Sequence, residues 1–572
     1  MSEIMNKPEP YFKLPLNLSN YKDFYSIFDW SDADVGITFP VSDKIALHWE
    51  GADGEKKQFT YKELDALADG FANHLKELGV KKGDRVFFFL PRIPELYYGV
   101  LGAVRAGAVV GTLFAAFGTQ GAFERLKNSG AKVLVTNSEL RKRIEPVRKD
   151  LPKLKHILEV DTCQPVGLTS SNHRTENEKQ PDGLTKLTKT PSIMMYTSGT
   201  SGTPVRGMVL PYSALAMQKL TAQWVLDLHP DDIFWCSADP GWITGLAYGI
   251  FGGFLNGVSS VVYEGRFSPE KWYQILQDYK VSVWYTAPTA LRMLRGAGEE
   301  LAEKFDFSHL RHLCTVGEPL EPELVRWTEK VFGVPAHDTY WLTETGAMMI
   351  ANFPSEPIKP GSMGQPVPGI EAVVLDDGGQ QVPPNVEGDL VFKTGWPSQM
   401  IGVWENPERF RSYFRPPSPP HFAKASRGKR LRGVRYFVTG DRAYQDEDGY
   451  FWYVGRADDM IKTSGERVGP FEVESALMSH PKVVEAAMVG KPDPVRGQII
   501  KAFVVLKQEN KRTPKQTLSV ATGQAKKQKN ISEELKRHVK KTLAGHAYPR
   551  EIEFVDELPK TKSGKIVRRV LR

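Results

Sequence analysis

Several clusters of residues in this chain have the types and spacing to handle a phosphate-bearing ligand. At Tyr196–Gly207 the sequence reads YTSGTSGTPVRG, where an apolar strand, SIMMY, runs into a loop of hydroxyls and glycines. Thr197, Ser198, Thr200 and Ser201 offer hydroxyl groups, and Gly199 and Gly202 let the backbone come close to a ligand and point N–H groups at its oxygens. This is not a Walker A loop, because Gly207 is followed by Met208 and Val209 where Lys and Ser or Thr would stand. A plain surface loop is the alternative, and the density of hydroxyls and glycines favours phosphate.

The next cluster, HDTYWLTETG at His337–Gly346, is preceded by VGEP at Val316–Pro319. Glu344 sits between Thr343 and Thr345 in apolar surroundings, so it either caps a helix or ligates a hard cation such as Mg²⁺. A third cluster spans Tyr436–Glu474. There Asp441 follows a strand and turn; it could accept the two hydroxyls of a ribose, as single carboxylates do in dinucleotide sites, or serve as a turn residue. Near the end, PKTKSGK at Pro559–Lys565 places Lys565 as a mobile point charge for a polyanionic transition state, or as part of a solvated tail.

Such residues need elements to hold them. Over the first four-fifths of the chain, apolar runs of strand length (RVFFFL, AVVGTLF, AKVLVT) alternate with helical patterns such as Pro94–Ala106, which predicts βαβ units and a mostly parallel sheet. VSVWYTA and EAVVLDD read in the same way. After Gly455 the texture changes to a compact module. It has a helix at Pro470–Ser479, strands VVEAAMVG and IIKAFVVL, a helix at Ser532–Leu543 and a strand REIEFV, with the natural boundary at Arg456–Asp459.

At 572 residues the chain is too long for one core, and 41% hydrophobic with 25% charged residues is ordinary for a folded soluble protein. The net charge of +7 is concentrated. Arg415–Arg435 holds seven Lys or Arg and no acid, Lys507–Asn530 holds seven with only Glu509, and the remainder is net acidic. Both stretches lack the interleaved aromatics of a nucleic-acid surface, Phe422 apart, and read as solvated insert loops; no nucleic-acid partner is expected. The uncharged stretch Pro240–Tyr263 is broken by six glycines and Asn256, so it reads as a buried helix followed by a strand, not a membrane span. Cys163, Cys236 and Cys314 show no metal or disulfide spacing. The N-terminus carries Glu3, Glu9 and two prolines without an apolar run, which points to the cytoplasm.

In this order the clusters resemble the adenylate-forming enzymes, the superfamily of acyl-CoA synthetases, luciferases and peptide-synthetase adenylation domains, over nearly the whole chain. YTSGTSGTP, DTYWLTETG, TGD, GRADDMIKTSGERV and LPKTKSGK look like its core motifs, and DPGWITG, RFSPEKWY, YTAPTALR, GEPLEPE, KPGSMGQPVPG and KPDPVRGQIIKAFV look most like acetyl-CoA synthetases. The resemblance implies a large α/β N-terminal domain (1–457) of parallel-sheet subdomains plus a β-rich subdomain. A small mobile α+β C-terminal domain (458–572) would follow, hinged at Asp458. It implies ATP, Mg²⁺ and coenzyme A, with a small carboxylic acid activated as acyl-AMP and passed to the thiol.

By the same resemblance Gly317, Glu318 and Pro319 lie along the adenine, with Asp338, Thr339 and Tyr340 opposite. Thr343 reaches the α-phosphate, Glu344 is associated with Mg²⁺, and Asp441 and Arg456 meet the ribose. Arg467 positions phosphate, while Lys565 serves adenylation and gives way on rotation to Ser464 and Gly465 at the pantetheine tunnel. Trp341 matches the indole that floors the acyl pocket of acetate and propionate enzymes, completed by Thr286, Ala287 and Val316. An indole there fills the space of extra methylenes, each worth about 1 to 3 kcal/mol of discrimination; a plain core residue is the alternative for Trp341.

One motif departs from the family. Where relatives read P-K-G, this chain has Pro204-Val205-Arg206-Gly207, so that either the lysine has become valine or Arg206 takes the basic role one place later. Two other readings stay open at this point: a synthetase for a longer, branched or aryl acid, and a nucleotide or acyl-adenylate binding protein without catalysis.

Overall fold

Strands that are apolar on both faces need cover on both faces, and the chain supplies it in layers. The computed structural model describes residues 16–33, 35–161, 188–197, 206–415, 435–463, 466–493, 497–507, 520–543, 548–560 and 566–572. The expectations placed on Ser198, Gly199, Thr200, Ser201, Gly202, Ser464, Gly465 and Lys565, and on residues 416–434 and 508–519 of the two basic stretches, lie outside the described residues; the rest of the second stretch is not the loop expected, because the helix Val520–Thr542 begins within it.

A nine-stranded sheet runs in the order Gln365–Pro366, Ile350–Ala351, Ala336–Tyr340, His312–Val316, Val283–Thr286, Ile233–Cys236, Ser259–Tyr263, Ile45–Glu50 and Lys56–Thr60. From Ala336–Tyr340 to Ile45–Glu50 the neighbours are parallel, and the outer strands at each end are antiparallel. A seven-stranded sheet has a parallel body, Pro191–Thr197, Val109–Leu113, Arg85–Phe89, Val133–Thr136 and His156–Glu159, and an antiparallel edge at Arg206–Pro211 and Gly402–Val403.

One large core joins these two sheets. It takes Val86, Phe88, Val110, Ile193 and Met195 from the seven-stranded sheet and Leu47, Val283, Tyr285, Cys314 and Val316 from the nine-stranded one. Side chains alternating outward enter separate cores: Trp235, Trp284, Leu313 and Ala336 against the helices Pro269–Asp278, Pro288–Gly296 and Pro322–Phe332, and Phe87, Phe89, Leu134 and Met194 against Thr119–Ser129. Proline at the first helical position starts several of these helices, at Pro94, Pro269, Pro288 and Pro322, where its fixed φ suits the helix and its missing N–H is not needed. Gly333, with φ of 74°, stops the helix that precedes the strand Ala336–Tyr340.

The glycine-rich stretch forms a buried π-helical turn, Gly245–Gly252, continued by Gly253–Leu255 and the strand Ser259–Tyr263. A methyl group on Gly245 would come within 2.4 Å of the Asp239 backbone, so the glycines serve close packing. No helix among the described residues is long and apolar enough to cross a membrane.

EAVVLDD carries a strand, Ala372–Leu375, but not in a parallel sheet as its style suggested. It pairs antiparallel with Gly388–Lys393 in a third sheet that also holds Tyr436–Gln445, Phe414–Arg415 and Phe451–Arg456. The connection between Leu375 and Gly388 contains no crossover helix, and without one adjacent strands must return antiparallel. Past an exposed turn at 457–459 the chain enters a fourth sheet, Glu466–Val468, Ile461–Thr463, Gly497–Leu506 and Val483–Asp493. Glu551–Phe554 lies parallel to Gly497–Leu506, and the helices Pro470–Met478 and Val520–Thr542 complete this smaller domain.

Candidate active site

Three neighbouring parallel strands, Val283–Thr286, His312–Val316 and Ala336–Tyr340, end side by side, with Thr286 level with Thr315 and Val316 level with Thr339. Ligands of parallel sheets bind beyond such carboxyl ends. Here the segments that follow are Ala287, Gly317–Pro319 and Trp341, so the sequence clusters VGEP and DTYW, some twenty residues apart, become neighbours.

Gly317 leaves its strand with φ of 89°, a conformation that favours glycine, and a methyl group there would meet nothing within 4 Å. Glu318 does not extend into that open space. Its carboxylate accepts hydrogen bonds from the Thr289 hydroxyl at 2.7 Å and from the Arg292 guanidinium, and Arg292 also donates to Glu321 at 2.6 Å. The side chain is tied to the helix Pro288–Gly296, which leaves the backbone at Gly317 beside the open space. Burial opposes the charge on Arg292, but the two carboxylates outweigh it and hold the guanidinium charged.

Across from this loop Asp338 is buried and accepts from the Thr315 hydroxyl at 3.1 Å; burial pushes its carboxyl up to about 7. Tyr340 leads away to the third sheet, where its hydroxyl donates to Asp441 at 2.5 Å. Asp441 lies within the strand Tyr436–Gln445, after Gly440 with φ of 78°, and not in a turn. Its other oxygen takes the Arg456 guanidinium at 3.0 Å from the paired strand Phe451–Arg456. Asp441 is buried while the Arg456 side chain is 44% exposed, so the pair presents one solvent-facing edge.

Trp341 turns into the shared core. Its indole donates to the Tyr285 hydroxyl at 3.2 Å and meets the Tyr248 ring edge-on at 5.2 Å. Val316 belongs to the same core. Thr286, on the strand position after Tyr285, instead receives a hydrogen bond from the Ser237 hydroxyl at 2.8 Å. Ala287 occupies the position before the helix Pro288–Gly296, without a side-chain capping hydrogen bond.

The chain then makes a tight turn at 342–346. The Thr345 hydroxyl accepts from Leu342 N at 3.0 Å, the Thr345 carbonyl takes Trp396 Nε1 and Ser398 Oγ, and Gly346 has φ of 74°. No helix follows, which removes the capping alternative for Glu344. Thr343 and Glu344 are half-buried on this turn, and the Glu344 carboxylate accepts from the Tyr413 hydroxyl at 3.1 Å.

At the base of the hydroxyl-rich loop, Thr197 and Arg206 face each other across an antiparallel pair, so Arg206 opens the returning strand directly opposite the loop's entry. Arg467 pairs its backbone with Lys462 in the fourth sheet; its side chain is outside the described residues. Asp458 stands on the exposed turn between the third and fourth sheets, 3.6 Å from Arg456 Nε. Tyr285, Tyr248, Arg292 and Tyr413, which hold the site residues in place, were not singled out from the sequence. Only Tyr285 and Arg292 sit inside a quoted motif, YTAPTALR.

The AMP-binding enzyme family matches residues 39–404, and the AMP-binding enzyme C-terminal domain matches residues 472–565. An acetyl-coenzyme A synthetase of Bacillus subtilis is 46% identical, covering 97% of this chain and 95% of that one. One from Pyrobaculum aerophilum is 37% identical over 92% of this chain and 80% of its own length. Among solved structures, an acyl-CoA synthetase of Brucella canis is 34% identical with a TM-score of 0.67, covering 97% and 98% of the two chains. An anthranilate CoA ligase in complex with anthranoyl-AMP is 27% identical with a TM-score of 0.76, covering 98% of each. The chain belongs to the AMP-binding enzyme family.

Proposed function

We infer that this chain is an AMP-forming acetate–CoA ligase: it joins acetate to the α-phosphate of ATP with release of pyrophosphate, then passes the acetyl group from acetyl-AMP to coenzyme A with release of AMP. The observation that carries the small-acid assignment is the buried Trp341 indole, braced by Tyr285 and Tyr248 beside the strand ends. Near full-length identity to acetyl-coenzyme A synthetases supports the same reaction.

In this reading the adenine lies on the Gly317–Pro319 backbone opposite Asp338, Thr339 and Tyr340, and the ribose hydroxyls meet Asp441, already aligned by Tyr340 and Arg456. A carboxylate is a poor electrophile and its oxygen a poor leaving group, and the mixed anhydride with AMP removes both obstacles. Attack of the acid on the α-phosphorus needs charge neutralisation more than proton transfer. Thr343 and the hydroxyls of the Thr197–Arg206 segment would supply hydrogen bonds to the phosphates, with Arg206 adding positive charge. Lys565 supplies a point charge worth about 10² to 10³ in the adenylation rate.

Among the described residues no group of three or more His, Cys, Asp or Glu could hold a metal ion. A single carboxylate, Glu344, fits Mg²⁺, which keeps several waters and shares substrate phosphates instead of demanding a full protein cage. When bound, Mg²⁺ would neutralise phosphate charge. Tyr413 orients the Glu344 carboxylate toward that role. The smaller domain, turning about Asp458, would exchange Lys565 for Ser464 and Gly465 at the thiol step, with Arg467 positioning phosphate in the first.

Acid-dependent ATP–pyrophosphate exchange tests the reading across formate, acetate, propionate, butyrate, octanoate and benzoate. Exchange should peak at acetate or propionate and fall by about 10² to 10³ in Lys565→Ala, while thioester formation from supplied acetyl-AMP persists. No exchange with any acid would overturn the catalytic reading, and a maximum at octanoate or benzoate would overturn the small-acid assignment.

A further inference from the structure

Trp341 is gripped by two tyrosines, and each tyrosine hydroxyl is the middle of its own hydrogen-bond run. In the first run the ends fix the direction. The indole Nε1 can only donate, and it donates to the Tyr285 hydroxyl at 3.2 Å. At the far end the Thr339 hydroxyl donates to the Thr315 carbonyl at 2.7 Å, and a carbonyl can only accept. Tyr285 must therefore give its proton to Thr339 Oγ1, 2.7 Å away. The run reads Trp341 to Tyr285 to Thr339 to Thr315, with each hydroxyl donating once and accepting once.

The second run is built alike. Met348 N donates to the Tyr248 hydroxyl at 2.8 Å, Tyr248 donates to Thr221 Oγ1 at 2.8 Å, and Thr221 donates to the Met217 carbonyl at 2.7 Å. Tyr248 meets the indole edge-on, and Tyr285 meets Tyr248 edge-on at 5.7 Å. Both tyrosines are 0% exposed. Buried as they are, a broken link leaves an unpaired polar group in a dry place.

Only the first run reaches the indole nitrogen. An indole limits acid length only while it keeps one orientation, since a ring free to rotate opens part of the volume it fills. We propose that Tyr285 is a specificity-determining positioning residue whose hydroxyl locks the Trp341 ring and thereby sets the depth of the acid pocket. This rests on the reading of Trp341 as the floor of that pocket. The lock is anchored in the nucleotide wall, because Thr339 lies on the strand Ala336–Tyr340 and Thr315 immediately precedes Val316 and Gly317.

Tyr285→Phe keeps the ring and removes the hydroxyl. The ratio of kcat/KM for butyrate over acetate should rise about tenfold, with KM for ATP changed less than about twofold. Tyr248→Phe breaks the other run, leaves the indole nitrogen paired, and should keep the wild-type ratio. A merely structural role for Tyr285 would lower kcat/KM for all acids together, and that result overturns the proposal, as does an equal change in Tyr248→Phe. Trp341→Gly separates the two levels. If it widens the acid range while Tyr285→Phe leaves the ratio unchanged, the lock fails and the pocket stands; if Trp341→Gly leaves the ratio unchanged, both fail. Should Tyr285→Phe not fold, replacing Trp341 by its benzothienylalanine analogue keeps the size of the ring and removes the N–H that Tyr285 holds, and an unchanged ratio there overturns the lock.

Discussion

The two halves of the candidate site are built differently. On the acid side Trp341, Tyr285 and Tyr248 sit in the core shared by two sheets, at 7%, 0% and 0% exposure, and the hydroxyls are fully paired within the protein. On the nucleotide side Tyr340 and Arg456 converge on Asp441, and Arg456 reaches solvent. A neutral, dry, finished network resists change, so it can measure the size of an acid. An ionic cluster with an open edge has hydrogen-bonding capacity that a ligand can share. On the proposed reading, selectivity falls to one half and nucleotide grip to the other.

The largest effect should come from breaking the dry half. Trp341→Gly removes the proposed floor of the acid pocket, and with about 1 to 3 kcal/mol per methylene the preference for acetate over butyrate should fall by 10² or more, read as the ratio of kcat/KM values. The same change empties a large buried volume and should cost about 3 to 5 kcal/mol of stability, visible as a lower denaturant midpoint.

Breaking the ionic half should act on ATP. Asp441→Asn keeps the shape and removes the charge opposite Arg456, and hydrogen bonds to charged groups contribute about 1.5 to 3 kcal/mol. KM for ATP should rise by about 10-fold to 10²-fold, with the acid preference intact.

Asp338 sharpens the comparison, as a carboxylate enclosed within the nucleotide wall. Burial disfavours its charge and pushes the carboxyl up from an ordinary 3.8 to about 7. The unfolded chain releases this proton at the lower pH, so Asp338 makes stability fall as pH rises between those values, by at most ~1.4 kcal/mol per pH unit. Asp338→Asn should flatten that slope, as measured by denaturant midpoints from pH 4.5 to 7.5. An unchanged slope would show that Asp338 is ionised when folded.

Much of the fold was legible because strand and helix leave local marks. RVFFFL, AVVGTLF, AKVLVT and VSVWYTA are strands of the parallel bodies, and Pro94 and Pro470 begin helices where expected. Strand direction left no such mark, which is why EAVVLDD was misassigned. Local sequence also left Glu344 open between cap and ligand, since the turn that removes the cap is held by Trp396 and Ser398, some fifty residues on. The braces were hidden for the same reason. Nothing in VSVWYTA distinguishes Tyr285 from a core residue until Trp341, 56 positions later, is brought against it, and Arg292 acquires its role only when Glu318 returns to its helix.

The central claim is that the two halves do separate work, and one crossed measurement tests it most directly: KM for ATP and the butyrate-to-acetate ratio of kcat/KM, determined together in Trp341→Gly and Asp441→Asn. The account predicts that each variant moves one quantity by tenfold or more and the other by less than about threefold. If Trp341→Gly raises KM for ATP as much as Asp441→Asn does, or if Asp441→Asn changes the acid preference, the division between the two halves is wrong.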